Sequence, residues 1–277
     1  MAPTDENPPI SAESAAPAER HAWRIPARHN PTLQALVERV ADDAELMQLY
    51  RCANMNAVDR SGLNDHGEVH IRIVANAALR LLRLLAEAGV VPNVVKDHAL
   101  ATEDAEVVVF LGACLHDIGI AVHREDHEQH SLVLAYPKAR QLLDGLYAEP
   151  TLTTLVAEVL HTVAAHRWDV KCLTIEAGVL KVADALDMAA GRSRIPFEAG
   201  QVNIHSVSAQ AIRKVSIEPG VERPVRIAIE LENWAGIFQV DELLRRKLLN
   251  STLAPHVEVV ARIESETEER MVQVYKV

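Results

Sequence analysis

The chain has 277 residues, 49% of them hydrophobic, and a formal net charge of −11 at pH 7. This length and apolar content allow one large domain, or one medium domain with a small one. The acidic balance argues against a protein that coats nucleic acid through bulk attraction, but it permits a local basic site. Because aromatic residues make up only 4% of the chain, we expect an aliphatic and largely helical core.

The sequence predicts a cytoplasmic protein without a membrane partner. Its three cysteines, Cys52, Cys114 and Cys172, are odd in number and form no CxxC pair, which is typical of a reducing compartment. No apolar run approaches the ~20 residues of a membrane helix. We also find no apolar signal segment near the N-terminus.

Helical patterns dominate the chain up to about residue 200. Residues 1–28 are rich in Pro, Ala, Ser and Glu without periodicity, which predicts a disordered tail. Residues 29–200 are predicted to form one helical domain, in which Pro137 kinks or bounds its helix. Helical spacing of apolar residues predicts helices near 32–60, 68–88, 103–118, 131–147, 151–167 and 173–190.

The period changes from about residue 202 onward. Apolar residues alternate at 225–231, 257–263 and 271–275, which predicts strands. A turn is expected at 218–220 and a short helix at 240–249, with Leu243, Leu244 and Leu248 facing inward. Residues 201–277 are therefore predicted to form a small α+β domain, and the fold class is mainly α.

The most informative pair is His116-Asp117, which ends the apolar run 107–115. A dense apolar run predicts a buried segment, where adjacent imidazole and carboxylate groups are costly unless something compensates them. A metal ion is the usual compensation, since both groups are common ligands. The pair therefore predicts a metal centre.

Further candidate ligands lie on helix faces predicted to be buried. His70 lies on the apolar stripe of its helix, and Asp184 points toward the core, although Asp187 one turn on could be the buried acid instead. His161 and His166 differ by ~140° around their helix. His166 shares the apolar face, so we prefer it as a ligand and expect His161 to face solvent or support the site.

The polar segment 119–130 and the residues before His70 hold more histidines. We expect His123 and His127 to be exposed. His130 begins the next predicted helix, so it could be a surface residue. His66 could line the edge of the site.

In chain order, these residues resemble the motifs of the HD-domain metal-dependent phosphohydrolases. The resemblance covers about residues 66–196, and the part from 116 to 194 looks most like the HD domain of ribonuclease Y. It rests on His70 with Val74-Ala75, Leu115-His-Asp-Ile-Gly119, His130-Ser131, Ala164-Ala-His166 and Val182-Ala-Asp-Ala-Leu-Asp187.

The resemblance implies an HD-domain helical bundle and a set of metal ligands. One divalent ion would be held by His70, His116, Asp117 and Asp184. Members with a second ion add two histidines, here His130 and His166, and Asp117 would bridge the two ions. His116 and Asp117 would then be catalytic, through a metal-activated hydroxide. The ligand types fit Mn, Fe, Co, Ni, Zn or Mg.

Two positions depart from the family pattern, and several arginines could bind the substrate. Ile120 stands where many two-ion members have Lys, and Arg167 where many have a second His. Arg124 and Arg167 could restore positive charge. Arg192 and Arg194 suit phosphate oxygens, or they could complement a helix C-terminus. The basic run 245–247 is expected to be the solvated face of its helix.

Three functions are compatible with this pattern. The leading hypothesis is hydrolysis of a nucleotide-like or other small phosphoester. The second is a ribonuclease-like activity on RNA, which the acidic balance disfavours. The third is a nucleotide-sensing module without turnover, suggested by Ile120 and Arg167. The C-terminal unit could present the substrate or form the interface of a homo-oligomer.

Overall fold

The computed structural model describes residues 23–188, 208 and 210–263. Most of them are helical, and a small sheet follows the helices, which confirms the predicted fold class. A π-helical turn, Met55–Arg60, extends the second helix, and a 3-10 turn, Ile118–Ala121, follows the fifth. The helices before the sheet are α1 Pro31–Asp42, α2 Ala44–Asn54, α3 Glu68–Glu87, α4 Asn93–His98, α5 Thr102–Leu115, α6 His127–Leu143, α7 Thr151–Ala165 and α8 Ile175–Ala185.

Helix α5 lies at the centre of the bundle. Its residues 105–115 are all buried, and it packs against α1, α3, α7 and α8. A helix that is apolar on every side can remove all of its apolar surface from water only when other helices surround it. His116 is its C-cap residue, so the His116-Asp117 pair begins where this buried helix ends.

The described part of the predicted tail packs into the core. The ring of Trp23 is 8% exposed and lies 6.3 Å from the ring of Phe110, and Ile25 is also buried. The prediction of a disordered tail is therefore wrong for residues 23–28, because Pro- and Ala-rich composition concealed two large apolar side chains. Residues 1–22 lie outside the described residues.

The predicted helices agree approximately in position with the structure, apart from an earlier start of α6 at His127 and two further differences. Pro137 lies inside α6 and bounds neither end of it. Helix α4 was not predicted, because the side chain that holds its N-terminus is remote in sequence. The carboxylate of Glu176 accepts hydrogen bonds from the backbone N–H groups of Asn93 and Val94 at 3.1 and 2.9 Å.

The C-terminal unit contains a three-stranded sheet of β1 Ile212–Pro219, β2 Val225–Leu231 and β3 Val257–Ile263. Strands β1 and β2 are antiparallel, whereas β2 and β3 are parallel, with Ile227 opposite Val259. The connection between β2 and β3 contains Ile237–Gln239, Val240–Arg245 and Arg246–Leu249 in continuous helix, here called α9 (237–249). The predicted strand at 271–275 lies outside the described residues.

Helix α9 and the residues after it pack against α8. A Cβ atom on Gly178 of α8 would lie 2.4 Å from Oγ1 of Thr252, so only glycine allows this approach. The hydroxyl of Thr252 donates to the carbonyl of Thr174 at 2.9 Å. Leu244 and Leu248 are buried as predicted, but Leu243 is 39% exposed, which corrects its expected inward position. No helix in the described ranges has both the length and the apolar character to cross a bilayer.

Candidate metal centre

Side chains from the ends and faces of several helices converge at one place. His70 comes from α3, and His166 is the C-cap of α7. The side chains that meet there are all buried except Asp184, which is partly exposed. Their candidate ligand atoms form two groups, each within 4.8 Å: His70, His116 and Asp184, and Asp117, His127 and His166.

Asp117 faces both groups, with one carboxylate oxygen toward each. Its Oδ2 lies 3.3 Å from Nε2 of His70 and 3.4 Å from Nε2 of His116. Its Oδ1 lies 3.1 Å from Nε2 of His127 and 3.6 Å from Nε2 of His166. A carboxylate in this position can be a ligand in both groups at once.

Hydrogen bonds on the outer side of the imidazoles orient them toward this carboxylate. The Nδ1 of His70 donates to Oδ2 of Asp187 at 2.7 Å. The Nδ1 atoms of His116 and His166 each donate to the carbonyl three residues earlier, at 2.9 and 2.6 Å. These acceptors place the proton on Nδ1 and leave the Nε2 lone pair facing inward, as in metal-binding histidines.

The spacing of the inward nitrogens fits a bound cation. Nε2 of His70 lies 3.3 Å from Nε2 of His116, and Nε2 of His127 lies 3.3 Å from Nε2 of His166. Two inward nitrogens at this distance repel each other unless a proton or a metal ion lies between them. Ligand atoms bonded at about 2.1 Å to one ion lie roughly 3.0–3.4 Å apart. The donor set therefore fits a divalent metal ion.

The electrostatics of the cluster also call for positive charge. Burial lowers the pKa of His116, but the carboxylates of Asp117 and Asp184 outweigh that effect and raise it to about 10. Burial raises the pKa values of both carboxyls, yet nearby positive charges and hydrogen bonds from the imidazoles hold these pKa values well below their usual range. For Asp184, the largest single effect that lowers the pKa is the charge of the Lys247 ammonium group. Two charged carboxylates thus persist here only beside cations.

The sequence model of the HD-domain family matches residues 68–189, which include every member of both groups. The chain belongs to the HD-domain superfamily of metal-dependent phosphohydrolases. The uncharacterized protein MJ1020 of Methanocaldococcus jannaschii is 42% identical over 239 residues, which cover 85% of this chain and 92% of that protein. No solved structure matches the chain. The narrower resemblance to ribonuclease Y stays a prediction.

In the structure, His127 and not His130 lies in the metal centre of the HD domain, here called the HD site. His127 was expected to be exposed, but it is 6% exposed and contacts Asp117 and His166. His130 is partly exposed and belongs to neither group. The reason is that α6 begins at His127, four residues before the predicted start, so that His127 shares the buried face of this helix with Ser131.

We expect Gly119→Ala to disturb this half of the site. A Cβ atom at Gly119 would lie 2.2 Å from the carbonyl oxygen of His127 and 2.3 Å from the backbone nitrogen of Ser131. Backbone atoms cannot rotate away, so the first turn of α6 must shift. The free energy of unfolding should fall by about 2 kcal/mol or more, and bound metal should decrease. Urea denaturation and elemental analysis check this, and wild-type values for both would contradict it.

The remaining histidines have other positions. His161 accepts a hydrogen bond from the backbone N–H of Leu173 at 3.2 Å and lies outside both groups. His66 lines the cavity at the site, and its ring lies 5.4 Å from that of His70.

The cavity above the metal centre has a volume of about 650 Å³. Two of the predicted phosphate-binding arginines, Arg124 and Arg167, line it. Nη1 of Arg124 lies 2.7 Å from Nδ1 of His127. Arg167 forms an ion pair with Asp169 at 2.8 Å. Arg192 and Arg194 lie outside the described residues. A role for any of these arginines in phosphate binding stays a prediction.

The basic run 245–247 is only partly the solvated surface that was predicted. Arg245 and Arg246 are exposed and form ion pairs with acidic residues one turn earlier on α9. Lys247, in contrast, is 17% exposed and forms an ion pair with Oδ2 of Asp184. Sequence patterns could not identify this contact, because it depends on how α9 packs on α8.

Asp187 is expected to act as a positioning residue for His70. Asp187→Asn removes the charge that orients the imidazole while keeping the size of the side chain. The affinity for Mn²⁺ should fall by roughly 10–100-fold, measured by calorimetry on metal-free protein. Asp97→Asn, the same change at an exposed position on α4 outside the metal centre, is the control. Equal affinities in the two variants would contradict this role.

Proposed function

We propose that this HD domain hydrolyses a nucleotide-like or other small phosphoester, with one or two divalent ions held by the two ligand groups. The observation that supports the proposal most directly is the position of Asp117, whose two oxygens face different groups of imidazoles. That arrangement suits the bridging carboxylate of a two-ion site, in which ions lie about 3.5–4 Å apart.

Some residues of the site would bind the ions directly, and others orient the ligands. His116 and Asp117 would contact the ions directly, while Asp187 orients His70 through the bond to its Nδ1. A divalent ion bound here would supply Lewis-acid chemistry, because it lowers the pKa of water and offsets the charge of a phosphoryl group. Nitrogen and oxygen ligands without thiolate suit Mn, Fe, Co, Ni, Zn or Mg.

The cavity supports a small substrate. Its volume of about 650 Å³ lies within the range of about 300–1,000 Å³ that is usual for small-molecule sites. Its lining includes Arg124, Arg167 and Arg246, so positive side chains are available near an anionic ester. None of these features favours RNA as the substrate. A labelled oligonucleotide is therefore only one of the substrates to be tested.

The direct test is a substrate panel with defined metal content. Protein purified without chelator is analysed for bound metals, stripped, and reloaded separately with Mn²⁺, Fe²⁺, Co²⁺, Ni²⁺, Zn²⁺ or Mg²⁺. We expect hydrolysis of a phosphomonoester or phosphodiester that disappears on stripping and returns on reloading. Stoichiometric metal with no hydrolysis of any ester would overturn the proposal. Tight nucleotide binding without product would instead indicate a sensing module.

Metal loading is also expected to stabilise the fold. A free ion concentration of 100 times the Kd adds about 2.7 kcal/mol to the stability of the folded state. For a domain of this size, that corresponds to an increase in Tm of roughly 5–10 °C. Circular dichroism melts of stripped and Mn²⁺-loaded protein measure it, with His116→Ala as the comparison. An equal shift in His116→Ala would place the stabilising ion elsewhere.

A further inference from the structure

The C-terminal unit contributes a cation to the HD site. Lys247 lies on α9, lines the same cavity as Asp117 and His166, and forms an ion pair with Asp184. A lysine side chain that loses most of its contact with water needs a compensating anion. Here the compensating anion is itself a candidate metal ligand, so Lys247 is placed beside the metal centre.

The two oxygens of Asp184 face different neighbours. Its Oδ1 lies 3.5 Å from Nε2 of His70 and 3.7 Å from Nε2 of His116. Its Oδ2 faces Lys247. Because the ammonium and the imidazoles meet opposite oxygens, an ion held by Oδ1 and the ammonium on Oδ2 can be present together. Lys247 therefore need not leave when metal binds.

The position of Lys247 is fixed by the packing around the end of α9. The side-chain amide of Asn250 donates to the carbonyl of Trp168 at 2.9 Å, and the backbone N–H of Cys172 donates to the carbonyl of Asn250 at 3.0 Å. These bonds join the residues after α9 to the loop that follows His166. A side chain held between fixed elements is suited to recognition, since little freedom is lost on binding.

We propose that Lys247 is a substrate-binding residue that holds the phosphate group of the ester, so that the HD site is complete only with the C-terminal unit in place. This rests on the proposed function, since it assigns a ligand to the same site. An ammonium has three N–H donors, and the contact with Asp184 engages one of them. Lys247 lines the same cavity as the candidate ligands Asp117 and His166, so its other donors are available to a phosphate group in that cavity.

The test measures phosphate binding directly, with the full-length protein at saturating Mn²⁺. Calorimetry with inorganic phosphate compares wild type with Lys247→Met, and a separate titration measures Mn²⁺ affinity. We expect phosphate affinity to fall by about tenfold or more, the usual loss for a charge-assisted hydrogen bond. Mn²⁺ affinity should not fall, because the removed side chain is a cation. Lys247→Arg should recover much of the phosphate affinity.

Arg245→Met is the matched control. It removes one positive charge from the same helix at an exposed position whose ion partner is Asp241. It should leave both affinities unchanged. If Lys247→Met does not fold, as judged by circular dichroism, Lys247→Gln replaces it. Wild-type phosphate affinity in the folded variant at saturating Mn²⁺ would overturn the proposal, because Lys247 would then only orient Asp184.

Failure of this inference can be separated from failure of the proposed function. If wild-type protein hydrolyses esters and Lys247→Met binds phosphate equally well, the inference fails and the function stands. If no ester is hydrolysed but phosphate binding still depends on Lys247, the hydrolase proposal fails and the binding role stands.

Discussion

Replacing Asp117 with asparagine is expected to reduce turnover by roughly 10³-fold or more and to lower the number of retained ions. The amide keeps the size of the side chain but removes the charge from both oxygens. Each oxygen faces a different pair of imidazoles, so the group with His127 and His166 loses its anionic member and the other group keeps only Asp184. Turnover of the best ester found in the panel, with elemental analysis of each sample, measures both effects.

The matched control is Asp97→Asn, an isosteric change outside the metal centre. It should retain full turnover and full metal content. The stripped forms of both proteins should be compared by urea denaturation, because removing a buried charge also alters stability. A folded Asp117→Asn protein with wild-type turnover would mean that the chemistry takes place elsewhere.

The sequence was most informative where burial and chemistry conflict. A histidine and an aspartate after a continuous apolar run needed compensation, and His116-Asp117 indeed lies at the centre of the two ligand groups. His70 and Asp184 were found in the same way, since each interrupts an apolar helix face. Such residues are recognisable because the periodicity of the helix alone determines which side is buried.

The sequence was less informative where position depends on packing between distant segments. The start of α6 is set partly by the hydroxyl of Ser131, which accepts a hydrogen bond from the backbone N–H of Gly119 at 2.8 Å. The local sequence pattern could not reveal that contact. Because the helix begins earlier than predicted, the buried histidine is His127 and not His130. Lys247 is a similar case, because only the packing of α9 on α8 brings it to Asp184.

His127→Ala is expected to remove the ion held by His127 and His166, and with it most of the activity. His127 is buried, and its Nε2 lies 3.1 Å from Oδ1 of Asp117. Losing one of the few protein ligands in this group should lower turnover by at least about 10²-fold if that ion takes part. His130→Ala, three residues along the same helix, should retain both the ion and the activity.

This pair of variants decides between two assignments of one ligand. If His130 were the ligand, His130→Ala would lose metal and His127→Ala would keep it, the reverse of the expected result. Metal content separates this from a second possibility, in which one ion alone supports turnover. In that case His127→Ala would lose part of its metal yet remain active, and the group of His70, His116 and Asp184 would suffice for the chemistry, with Asp117 contributing through the oxygen that faces His70 and His116.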